Sequence, residues 1–262
     1  MALANGVLVH GPRHWACAVR LDDGSLEVAS GKKPLRAADS PSRLLQGPLR
    51  LAEVFALLPV IRRELPGAKL PFQRPGVAGA LVGSVLGIQA LRSSRLSPLA
   101  QEALAALISV GPAAVALRGS ELAAYHGAEH ISIGSYEHGE EREKEHERCG
   151  SHVLGPLLLT SAAGSVAAAR APAALRPLAR AAAGLGALAA SIEIFSWMVA
   201  NERHPVARAL AKPGHELQHR FVTADPSAEQ LEVAKAALAE CLRLELPANG
   251  DPDRAEEAAP PT

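Results

Sequence analysis

Four long apolar runs limit what this chain can fold into more than any other feature. Residues 75–91, 103–117 and 153–169 carry no charged side chain, and residues 181–201 carry one, Glu193. A helix that crosses a bilayer needs roughly 17–25 predominantly apolar residues. Runs rich in Ala and Gly also suit buried helices, but four in succession are hard to enclose in a soluble domain of 262 residues. They predict a mainly α-helical, multi-pass membrane protein with about four membrane helices. Near the ends of the runs, eleven Lys or Arg residues fall on the side of both termini and five on the other. The positive-inside rule then puts the termini and the 118–152 loop in the cytoplasm, with the chain in an inner (plasma) membrane. Gly79, Gly83 and Gly87 recur every fourth residue, which lines one helix face with glycine and offers a homo-oligomer contact.

The flanking sequence reads as smaller, water-facing pieces. Residues 14–21 alternate apolar and polar, Asp23-Gly24 is a hairpin turn, and residues 26–29 can return, so the N-terminal part is a small β element. His10 and His14 read as solvated loop residues. Residues 48–65 form an amphipathic helix through Leu51, Val54, Phe55, Leu58 and Ile61. Residues 213–223 are a turn-rich link, and Asp225-Pro226-Ser227 starts a soluble amphipathic helix over 227–244. The resulting division is 1–46, 47–212, 213–246 and a disordered Pro/Glu/Ala tail over 247–262. Lys plus Arg and Asp plus Glu both number 27, so no basic face points to nucleic acid. Cys17, Cys149 and Cys241 form no Cys-x-x-Cys pair, which predicts reduced thiols rather than a disulfide scaffold. The first eleven residues lack the basic start and apolar core of a cleaved signal peptide.

Chemistry concentrates between Tyr125 and His152, which hold five of the ten histidines. On a helix, His126 and His130 are one turn apart and Glu129 shares their face. Two such imidazoles can chelate a divalent cation, zinc above all, and the carboxylate can take a proton from water. His-x-x-Glu-His is the inverted zinc-hydrolase order. His146, Cys149 and the intramembrane Glu193 are further metal candidates, and Tyr136 is a candidate for stabilising developing charge. The acids of residues 137–147 read most simply as a solvated loop.

With these pieces in order, the chain resembles a bacterial multi-pass membrane family, domain of unknown function 1385, often labelled a predicted metal-dependent enzyme. The likeness runs through Gly6–Pro12, Ala18–Arg20 and Asp23-Gly24, then Tyr125–His130, Tyr136–Gly139 and His146–Ser151. It ends in Pro213–Gln218 and Thr223–Pro226. Asn5, His10, Ile131 and Glu147 depart from the family's usual Glu, Arg, Lys and Pro. The resemblance implies a membrane-embedded helical fold and places the metal site at the histidine motif.

The leading expectation is a cytoplasm-facing metal hydrolase with His126 and His130 as ligands and Glu129 as base. One rival is a non-catalytic membrane scaffold holding the same metal. Another is a cysteine hydrolase with Cys149 as nucleophile and His146 or His152 as base.

Overall fold

The computed structural model describes residues 1–40, 43–117 and 120–246. The expected tail over 247–262 lies outside them. The chain divides into two compact units, one built from Met1–Leu70, Gly119–Lys144 and Thr223–Thr262, the other from Pro71–Arg118 and Glu145–Val222.

The first unit is built on an antiparallel sheet in chain order, β1 (Ala2–Leu3), β2 (Gly6–His10), β3 (His14–Arg20) and β4 (Leu26–Lys32). The Asp23-Gly24 turn forms as the sequence predicts, with Gly24 at φ 85° and Asp23 Oδ1 accepting from the Ser25 amide. Side chains alternate across β3. Trp15, Cys17 and Val19 join Leu3 and Leu8 in one core with Leu57 and Ile61 of helix α1 (Arg43–Glu64) and with Leu65 just after it. Ala16 and Ala18, paired with Val9 and Val7, stand on the opposite face. Helix α8 (Ala228–Glu245) packs on β2 and β3 and buries Val233, Ala234, Ala237 and Cys241. Helix α4 (Glu121–His138) packs on β1, β2 and α8. The strand β2 is buried along most of its length, so its apolar run shows no alternation in sequence.

Two expectations change here. The buried stripe of α1 is Glu53, Leu57 and Ile61, while Phe55 is exposed and the Leu51 side chain lies outside the described residues. The reason for a buried acid is Lys33, whose Nζ stands 2.8 Å from Glu53 Oε2, both side chains less than 5% exposed. Lys33 Nζ also donates to the Gly11 carbonyl and Glu53 Oε1 accepts from the Ala37 amide. His10 and His14 are not solvated loop residues but half-buried strand ends.

The second unit holds α2 (Pro75–Arg92), α3 (Pro98–Leu117), α5 (Leu154–Ala169), α6 (Arg176–Ala200) and α7 (Pro205–Leu217). The helices α2 and α3 pack together, as do α3 and α5, and α5 and α6. Ser84 Oγ donates to the Ile108 carbonyl between α2 and α3, and Thr160 Oγ1 to the Ala187 carbonyl between α5 and α6. Among the described residues four helices are long and apolar enough to cross a membrane, and within their windows 6–24% of residues are buried. Leu107, Leu159, Leu178 and Leu185 are among the apolar side chains they expose. Gly87 faces Ile108 of α3, whereas Gly79 and Gly83 have open space where a Cβ would stand. The expected turn-rich link after residue 213 is instead the end of α7 followed by a π-helical turn, Gln218–Val222.

Removing one member of a buried ion pair strands the other. Glu53→Ala is expected to destabilise the protein by about 3–5 kcal/mol. The double replacement of Lys33 and Glu53 by Met should recover most of that loss in a denaturant midpoint. Equal loss in single and double variants would show that the pair is not the source.

Candidate functional site

The histidine motif sits in the middle of α4, where the sequence places it. His126 and His130 are one turn apart, with ring centroids 4.3 Å apart and planes at 60°. One ring nitrogen of each lies within 4.8 Å of the other. His130 is buried, and its Nδ1 is 2.6 Å from the Lys144 carbonyl oxygen. A carbonyl only accepts, so Nδ1 carries the proton and the lone pair is on Nε2. Imidazoles that bind metals commonly donate their other ring N–H to a carbonyl in this way.

Glu129 shares this helix face. Its Oε1 accepts from the α-amino group of Met1, while Oε2 is buried without a hydrogen-bond partner among the described residues. Burial pushes the carboxyl pKa up, but the Met1 ammonium, His126 and His130 outweigh it and hold it below the usual range. The side chain is therefore an ionised acceptor at neutral pH. Tyr136, two turns further on, is exposed.

Gly127 explains how α4 reaches its neighbours. A Cβ there would overlap the Ala224 carbonyl oxygen, and the Ala224 amide donates to the Ala123 carbonyl at 2.9 Å. The motif glycine thus permits direct backbone contact between α4 and the 223–225 segment that leads into α8. Its cost of roughly 1 kcal/mol in helix propensity is offset by that contact. Ser227 and Gln230 then close a capping box at the start of α8.

The other sequence candidates, His146, Cys149 and Glu193, belong to the second unit. His146 is buried and its Nδ1 accepts the Arg148 amide at 3.2 Å, which puts the ring proton on Nε2. Backbone hydrogen bonds join Cys149 to His146 and His152 to Cys149. Glu193 is exposed on α6.

The sequence reading missed the organiser of this loop, Gln218. It is fully buried at the start of the π-helical turn. Its Oε1 accepts the His146 amide, and its Nε2 donates to the His146 carbonyl and to Ser151 Oγ. Gly214, one turn earlier, allows α7 to lie against Ser151 and His152, since a Cβ there would come within 2.6 Å of His152 Cα. The signal was present in Pro-Gly-x-x-x-Gln, a glycine and an amide four residues apart on one helix face.

Gln218→Ala takes away the side chain that pairs with the His146 amide and carbonyl. It is expected to cost about 2–5 kcal/mol, read as a lower thermal-unfolding midpoint in detergent. His219→Ala, on the exposed side of the same turn, should change stability by less than about 0.5 kcal/mol. Matching midpoints for the two variants would remove Gln218 from this role.

Comparison with known proteins adds one match. The family model described as "Protein of unknown function (DUF1385)" matches residues 120–244, from the residue before α4 almost to the end of α8. No curated protein and no solved structure matches the chain. The match takes in the histidine motif, Gly127, the His146–Ser151 turn, Gly214 and Gln218. Over residues 120–244 the chain is similar to the DUF1385 family, whose function is unknown.

Proposed function

We propose that this is a multi-pass membrane protein carrying a divalent-metal hydrolase centre on α4, with His126 and His130 as ligands and Glu129 as general base. The observation that carries the proposal is the His130 tautomer. Its Nδ1 proton is committed to the Lys144 carbonyl and its neighbour His126 lies one turn away, as in a helical two-histidine site. The buried, unpartnered Oε2 of Glu129 fits beside such a centre. A divalent cation, zinc by the donor set, would supply Lewis acidity there.

The chain's own groups do the rest. Glu129, held ionised chiefly by the Met1 ammonium, accepts a proton from water through Oε2. The Met1 ammonium holds Oε1 and fixes the carboxylate. His130 is held in one orientation by Lys144, so its ring does not swing during turnover. Tyr136, two turns beyond Glu129 on α4, is the candidate donor to developing charge. A non-catalytic reading is favoured by the same Met1 contact, since it makes Glu129 a structural anchor.

The four apolar helices support insertion in a membrane, and the excess of Lys and Arg on one side supports an inner membrane with the termini and the histidine segment in the cytoplasm. A second copy would pack on the Gly79 and Gly83 face of α2, where a Cβ would meet open space.

Protein purified in detergent is expected to hold about one equivalent of zinc or a similar ion. His126→Ala and His130→Ala should each lose most of it, and His14→Ala should not. The same assay on His146→Ala, Cys149→Ser and Glu193→Gln assigns further ligands. Equal metal in all variants would end the metal reading. Glu129→Gln should keep the metal but lower turnover by roughly 10²–10⁴-fold, read by complementation of a deletion strain. Full complementation by that variant, with failure of His126→Ala, would leave the scaffold in place of the hydrolase.

Reporter fusions after Lys144 and after Leu244 are both expected to report cytoplasm, and extraction should need detergent. Recovery in the soluble fraction without detergent would sink the membrane assignment.

A further inference from the structure

The first unit contains a cavity of about 580 Å³, within the range of small-molecule sites. It is an open cleft lined by the end of β2, the β2–β3 turn, the last turns of α4 and the C-terminal half of α8. Val9, Ile133, Leu238 and Leu242 give it apolar walls.

Its charged lining residues balance, and the bonds they make tie up much of that charge. Glu137 and Glu245 carry two negative charges, Arg13 and Arg243 two positive ones. Glu245 Oε1 accepts the amides of Arg13 and His14 at 2.7 and 2.6 Å, and Arg243 forks onto Glu240. Burial, followed by the Met1 ammonium and Lys33, pushes the His10 pKa down to about 4, so that ring is neutral. A charged ligand would lose hydration and find little compensating charge.

One polar group lacks its complement. His14 Nδ1 is buried and has no hydrogen-bond partner among the described residues, and Glu245 Oε1 stands 3.6 Å from it. A buried ring nitrogen left so costs free energy that a ligand hydroxyl recovers, since a hydroxyl both donates and accepts.

We propose that this cavity binds an uncharged amphiphile, an apolar chain ending in a hydroxyl group, with the chain along Val9, Ile133 and Leu242 and the hydroxyl on His14. The site does not depend on a metal at α4, although Ile133 follows His130 by one turn on the same helix.

The test uses the full chain in detergent and a long-chain alcohol that bears a diazirine and a terminal alkyne. After irradiation, label should map by mass spectrometry to the segments 9–14, 133–137 or 238–246, and excess unlabelled alcohol should suppress it. The matching carboxylic acid should label these segments about tenfold less, as charge burial requires. Leu242→Trp and Ile133→Trp, which fill the cavity from two sides, should each cut labelling about tenfold without lowering the melting midpoint. His14→Phe should cut it about threefold to tenfold, the scale of one hydrogen bond. Metal-stripped protein should label as the untreated protein does, which separates this outcome from the metal assay. Label confined to the four apolar helices, equal labelling by the acid, or filled variants that melt normally and label fully would each overturn the proposal.

Discussion

The contact between Gly127 of α4 and the backbone at Ala224 is the constraint on which the first unit depends. It lets a helix approach the segment before α8 with no side chain between them, and the Ala224 amide then pairs with Ala123. The chain has only four Phe, two Trp and two Tyr, so it has few large side chains with which to fill wider gaps. Close approach is the alternative way to reach interior packing density. The same solution recurs where Gly214 brings α7 against Ser151 and His152. Both glycines stand inside the region that matches the family model, where these contacts fix the backbones on either side.

Elements governed by local rules were legible in the sequence. The β3–β4 hairpin follows its Asp-Gly turn, α8 follows its Ser227 cap, and the four apolar helices follow their composition. The His126–His130 spacing likewise reads directly as one helix face. What escaped was set by partners remote in sequence. Phe55 points out and Glu53 in because Lys33 neutralises Glu53 from the end of the sheet. His10 and His14 are withdrawn from solvent because α8 covers the turn between them, with Glu245 on the Arg13 and His14 amides. Residues 213–222 read as a link because Pro213 and Gly214 look like breakers. They are helical because α7 has a turn to pack on.

At the site, the sequence supplied residue types but not protonation states. Which nitrogen of His130 carries a proton is decided by a carbonyl fourteen residues along the chain, at Lys144. His146 is held in the other tautomer by the Arg148 amide. Two histidines that look alike in the sequence thus present different atoms to a ligand. Periodicity has no access to that distinction, which arises from hydrogen bonds made after the chain has folded.

The Lys33–Glu53 pair limits how sequences of this kind can drift. A chain that loses either residue first passes through an intermediate with an unmatched charge inside the fold. Such an intermediate is purged, so the two positions should change together or stay as they are. Across relatives, position 33 should be cationic where position 53 is acidic and apolar where it is apolar. The pair would then appear in an alignment as covariation between the sheet and α1, although neither residue touches the histidine motif.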